Sequence, residues 1–200
     1  MATDAFTGTN GTELPTYSAN WSLGNALSSD FVIDTNALRT PFSRAISLHA
    51  YRNDGSFAND QYAEAKIVQV GSASQYMGVC VRSGNGDAYA FVVDGINYLM
   101  WKLIGYGGYT QLAFAALTVV AGDTIRLEAS GTTLTAKLNG STVTTVTDSA
   151  LTSGRPGVAG QGGAASGTYT LLDDWVGDDL TAAALQFWQY RWPHQLHARR

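Results

Sequence analysis

Apolar and polar positions alternate with a period of two along most of this chain. Ser43–Tyr51 (SRAISLHAY), Tyr62–Val70, Tyr76–Arg82 and Ala88–Val93 read as strands, because they are rich in β-branched and aromatic residues and bounded by Gly, Asn and Asp. Tyr98–Leu103 and Thr110–Ala115 continue the series. Further on, Ile125, Leu127 and Ala129 share one face of a strand, and Leu134, Ala136 and Leu138 share the matching face of the next. Ser130-Gly131 and Asn139-Gly140 are two-residue turns of the hairpin type, so Thr124–Ala129, Thr132–Leu138 and Thr142–Val146 form an antiparallel meander. Thr168–Val176 is a last strand, and the glycine-rich 154–167 before it is expected to cross the surface as a connection. Many short strands with regular turns predict a sandwich or barrel. Strand–helix–strand alternation is missing, which argues against a parallel α/β sheet.

The period changes near the end. Leu180, Ala184, Phe187, Trp188 and Arg191 recur at helical spacing after Asp178 and Asp179, two good capping residues, and Pro193 stops the run. The chain therefore divides into a sandwich, 1–178, and a helical, aromatic, basic tail, 179–200.

Composition sharpens this division. The 200 residues suit one domain, and 45% apolar with 14% charged residues excludes disorder. The net charge of −4 is a tail of +2 on a body of −6. Lysines number three and are scattered, so no nucleic-acid partner is expected. The single cysteine, Cys80, has no intrachain partner. The start has neither a basic nor an apolar signal region, and the longest apolar run, 112–121, is too short for a membrane span. No membrane partner and no general secretory export are expected.

Certain landmarks carry a resemblance. Asp4-Ala5-Phe6, Gly8, Gly11-Thr12, Leu14 and Asn20-Trp21 are followed by Asp60-Gln61-Tyr62-Ala63-Glu64, Gly78–Arg82, Gly122–Leu127, Leu138-Asn139-Gly140, 148–157 and Asp173-Asp174-Trp175. In that order they resemble the concanavalin A-like, laminin G-like jelly-roll family, of the kind found in phage tail and surface proteins. The resemblance covers about residues 3–178. It implies an all-β, antiparallel two-sheet sandwich whose first and last strands lie side by side, with Phe6 near Trp175. Phe6, Trp21, Phe31, Phe91 and Trp175 are the expected core aromatics. The short C-terminal helix stands outside the family pattern.

Candidate chemistry is sparse. Relatives that hydrolyse glycans carry Glu-x-Asp-x-x-Glu on one strand; here the glutamates are only Glu13, Glu64 and Glu128, and none lies in such a run. No catalytic residue is assigned. His194 and His197 lack further ligands, so no metal is expected there. Asp54, Asp60 and Asp87 lie in turns and could bind calcium, as some members of the resembled family do, but turn formation accounts for them and no cofactor is assigned. Glycan-contacting candidates are Tyr106 and Tyr109 in a glycine-rich loop, Arg82 on the strand face of Gly78 and Cys80, and His49 and Glu64 on strands. Trp101 shares the parity of Leu99 and Leu103 and is expected in the core; Cys80 is expected buried and inert. Phe187, Trp188, Tyr190 and Trp192, with Arg191, are a docking set, since a lone helix cannot bury four aromatics.

The function expected on these grounds is a non-catalytic accessory protein of a bacteriophage virion, a capsid decoration or tail component. Its sandwich would face outward for adhesion to a cell-surface glycan. Its tail would bind other virion proteins or copies of itself. The alternatives are a free, extracellular lectin-like module and a polysaccharide hydrolase or lyase with dispersed catalytic residues.

Overall fold

The computed structural model describes residues 1–24, 31–40, 47–105, 108–161 and 168–180. These form two antiparallel sheets. The strands are β1 (Ala2–Asp4), β2 (Trp21–Leu23), β3 (Val32–Asp34), β4 (Ala37–Arg39), β5 (Ser47–Arg52), β6 (Gln61–Gln69), β7 (Tyr76–Ser83), β8 (Ala88–Val93), β9 (Asn97–Leu103), β10 (Thr110–Ala116), β11 (Thr124–Ser130), β12 (Thr133–Leu138), β13 (Ser141–Thr147), β14 (Arg155–Gln161) and β15 (Leu171–Asp179). One short helix, α1 (Leu14–Tyr17), precedes β2. The first sheet runs β13-β12-β11-β6-β15-β4-β3, with β1 also on β15; the second runs β10-β9-β8-β7-β14-β5-β2. Among the described residues no helix is long and apolar enough to cross a membrane.

The core lies between the sheets. Ala63, Ala65 and Ile67 of β6 and Ile125, Leu127 and Ala129 of β11 meet Met77, Val79 and Val81 of β7 and Phe91 of β8, all buried. The alternation in β6 and β11 is the cause, because period-two side chains put every second residue inward.

Asp4 locks the corner where the chain begins. Its carboxylate accepts from the Phe6 N–H (2.9 Å), the Tyr17 hydroxyl (2.7 Å), the Trp21 indole (2.8 Å) and Arg52 Nη1 (3.3 Å). Arg52 also grips Asp54 and the Thr3 carbonyl. The Asp-x-Phe and Asn-Trp landmarks are thus one hydrogen-bonded joint. β1 pairs with β15 and sets Asp4 opposite Trp175, while Phe6, Trp21 and Trp175 stack in sequence at 5.8 and 4.9 Å. The expected neighbourhood of Phe6 and Trp175 is present, and all five expected core aromatics are buried.

Three expectations need correction. Residues 155–161 are not a surface connection: β14 lies inside the second sheet between β7 and β5. Its glycines answer close backbone approach, since a Cβ on Gly157 would come within 2.0 Å of the Ala50 carbonyl oxygen. The first hairpin turn is centred on Gly131-Thr132, because Ser130 pairs with Thr133 and Gly131 takes φ +54°. Asp178 and Asp179 end β15 instead of capping a helix; Asp178 pairs with the Met1 ammonium at 2.7 Å and Asp179 accepts from the Ala58 N–H at 2.6 Å. The expected helix, with Phe187, Trp188, Tyr190, Arg191 and Trp192, lies outside the described residues, as does Tyr106.

Candidate functional site

The second sheet is buried on both sides. Residues of β7, β8, β9 and β14 are buried almost without interruption, whereas β6 and β11 alternate. Its outward-facing residues form a cluster of their own: Cys80, Ala88, Ala90, Val92, Leu99, Trp101, Leu103 and Ala159, with Tyr76 packed against them. Cross-strand registration builds this face in rows. Trp101 stands opposite Ala90, Ala90 opposite Cys80, and Cys80 opposite Gly157. The next row runs Leu99, Val92, Gly78, Ala159 and His49. The central strands therefore carry small side chains, and larger ones stand to either side.

Aromatic groups line the β9 side. The Tyr109 ring lies 6.4 Å from Trp101 and keeps 38% of its surface exposed, while Trp101 is fully buried. Tyr76 leans on Asp94; burial, that carboxylate and the nearby Tyr109 push its pKa up to about 12. The Trp101 indole N–H and the Gln161 side-chain carbonyl are buried without a hydrogen-bond partner among the described residues. Gln161 stands opposite Tyr76. Unpaired buried polar groups cost free energy and are uncommon. The Trp101 donor lies beside Tyr109, whereas the Gln161 acceptor stands four residue positions along and three strands away on β14.

The sequence candidates separate in space. Tyr109 and His49 share this face, at opposite sides of it. His49 is buried, hydrogen-bonds the Gly84 carbonyl at 3.1 Å, and has its pKa pushed down by burial. Its ring fills the place that a side chain on Gly24 would need. Arg82 does not share the face of Gly78 and Cys80. Its φ of +49° and the register shift between Arg155 and Gly157 turn it to the end of the inter-sheet core. There the guanidinium donates to the carbonyls of Asn59 (3.0 Å) and Leu151 (2.9 Å) and meets Asp60 at 3.5 Å. Glu64 lies on the far side of the molecule, opposite Arg126 in register and 3.6 Å from its guanidinium. Trp101 is buried as expected, but against the outer face and not between the sheets. Tyr76 and Gln161 were missed. Tyr76 carries the parity of Gly78 and Cys80, a usable signal; Gln161 was hidden in the glycine-rich run.

Cys80 is buried, with its pKa pushed up to about 12, so it holds no thiolate. The turn aspartates are engaged: Asp54 by Arg52, Asp60 by the Gly131 N–H and Arg82, and Asp87 by the Gly105 N–H. Among the described residues no three His, Cys, Asp or Glu side chains gather as metal ligands would. A second, polar groove of ≈ 470 Å³ lies beside Lys102, Thr132, Thr147, Asp148 and Ser149. Its Asp148 is committed to Lys102 (2.6 Å), Tyr89 (2.5 Å) and the Ala150 N–H (2.9 Å).

No family model matches the chain, and no curated protein sequence does. Solved structures do. A carbohydrate-binding module, CBM66 from Bacillus subtilis, superposes with a TM-score of 0.53 at 17% identity, covering 80% of this chain and 92% of its own. The exoplasmic/lumenal domain of VIP36, in a Ca2+/Man3GlcNAc-bound form, gives 0.57 at 12% identity over 82% and 85%. The catalytic domain of a Thermotoga petrophila laminarinase, an endo-1,3-β-glucanase, gives 0.53 at 9% over 90% and 98%. The chain has a concanavalin A-like jelly-roll sandwich fold.

Proposed function

We propose that this chain is a non-catalytic glycan-binding module, and that it receives a saccharide at the β9–β10 side of the second sheet's outer face. The observation that carries this reading is Tyr109: a partly exposed ring, backed by buried Trp101, whose indole N–H has no hydrogen-bond partner among the described residues. Saccharides stack their C–H faces on such rings and spend hydroxyls on such polar atoms. The fold shared with a carbohydrate-binding module and with a domain solved with Man3GlcNAc supports the reading. Binding is favoured over cleavage because Glu64 and Glu128 are paired with Arg126, and Glu128 with Lys137 as well, on the opposite sheet.

The finer part of the proposal is display on a bacteriophage particle, with residues 181–200 as the anchor. It is supported by the aromatic tail, Phe187 to Trp192. Deleting that tail should abolish incorporation into particles, and retained incorporation would refute the anchoring role. The binding proposal is tested on a glycan array with the full chain. At least one glycan should be retained, with a loss of about tenfold or more in affinity for Tyr109→Ala. An array without a binder would overturn it.

A further inference from the structure

Exposed large apolar side chains are unevenly placed. Among the described residues they are Met1, Ile96, Ile104, Tyr109, Phe114 and Val120, so all but Met1 lie on β10 or beside its ends. Among the described residues β10 is a terminal strand of its sheet, paired with β9 alone, and its own pattern is largely exposed. Leu103–Gly122 contains no charged residue, although the chain as a whole carries −4. Edge strands of monomers are ordinarily blunted by lysine, proline or a bulge across the pairing segment. Here the only such device is the bulge between Gln111 and Ala113, which leaves Ala113–Ala116 in regular register with β9.

Among the described residues the other long edge strand differs, the remaining sheet ends, β2 and β3, being three residues each. β13 ends the first sheet and is also uncharged, but it is a run of threonines with two valines turned partly inward. Its hydroxyls are content with water. Phe114, 51% exposed, has no such recourse.

We infer that β10 pairs antiparallel with β10 of a second copy of this chain, joining the two second sheets into one. The occupant is a second copy because the strand is compatible with itself. A two-fold axis sets each residue near its own kind, so any charge there would face its like, and none is present. Centred on Ala115, the pairing puts Phe114 across from Ala116 of the partner on one face and Ala113 across from Leu117 on the other. Each large side chain then covers a small one. Phe114 pairs with Leu99 and so stands on the same outer face as Trp101. Tyr109 lies six residues from Ala115, about 20 Å along the strand. The dimer therefore presents two Tyr109 rings about 40 Å apart on one continuous face, a spacing suited to bivalent capture of a polymer.

Sedimentation velocity on the full chain tests this. The wild type should sediment as a dimer at working concentration. Ala115→Lys and Phe114→Lys should each halve the mass, while Thr145→Lys, at an exposed position of β13, should leave the dimer intact. Phe114 is half exposed, so its substitution leaves the fold intact even if Ala115→Lys does not. Hydrogen exchange of the β10 amides should be slow in the wild type and faster in the Phe114→Lys monomer. A monomeric wild type, a dimer that survives Phe114→Lys, or a dimer broken by Thr145→Lys would each overturn the inference.

Discussion

The two outer faces of this sandwich obey different rules. On the first sheet Arg126 lies over the Tyr62 ring at 3.5 Å and reaches Glu128 at 2.7 Å, while Lys137 meets the same Glu128 at 2.8 Å. These charges are answered by neighbours, although one carboxylate oxygen of Asp173, opposite Lys66, is buried without a partner among the described residues. On the second sheet the outer face is apolar and buried, and its few polar atoms are unevenly satisfied. Antiparallel sheets commonly face water on one side; this molecule keeps that arrangement on one sheet and abandons it on the other. At the rim of that apolar cluster, Tyr109 keeps a large ring partly exposed.

The largest expected effect breaks the second face directly. Trp101→Ala should cost about 3–5 kcal/mol in chemical denaturation, because a fully buried indole leaves a cavity. Trp101→Phe should cost much less, since the N–H it removes has no partner among the described residues. Equal losses for the two would mean that the indole N–H has a partner after all.

Next comes Gly78→Ala. The added Cβ would sit 2.0 Å from the Phe91 carbonyl oxygen, so β7 and β8 must separate, at about 1–3 kcal/mol. A neutral result would show that the sheet has slack.

Buried His49 and the paired aspartates should also part with pH. Burial holds the His49 pKa below its ordinary value of 6.5. The folded state thus prefers neutral His49, and its contribution is fully present above 6.5 and lost as pH falls from there towards the depressed folded value. Asp54, held by Arg52, and Asp148, held by Lys102 and Tyr89 against its burial, have lowered pKa values. Their contributions are present above 3.8 and fade only at more acid pH, through the folded values. Thermal unfolding between pH 7 and 5 should fall for the wild type and stay flatter for His49→Gln.

The smallest effect belongs to the first face. Glu64→Gln removes one partly exposed ion pair and should change stability by less than about 1 kcal/mol, less still at high salt. A loss as large as that of Gly78→Ala would erase the distinction between the faces.

Much of the fold was legible because alternation reports one-sided burial. β6, β11, β12 and β13 show it, and the meander was read with a turn error of one residue at Ser130. β8 and β9 were found by their β-branched and aromatic content. β14 was not found, because its glycines, required by neighbouring backbone, look like a loop to any propensity argument. The short β1 to β4 follow the Asp4 joint, and three-residue strands carry too little pattern to be read locally. The site was half legible. Tyr109 announced itself by its glycine neighbours; Tyr76 was missed although it carries the parity of Gly78 and Cys80. Arg82 misled, because parity fails where a residue takes positive φ at a bulge. Gln161 could be placed only once β14 was known to lie beside β7.

The central claim is that recognition belongs to the second sheet's outer face. Hydrogen exchange of the full chain, with and without a saturating array-identified glycan, tests it most directly. Slowed exchange in β9 and at the start of β10, around Trp101 and Tyr109, is the predicted result. Protection confined to β6 and β11, beneath Tyr62 and Arg126, would contradict it.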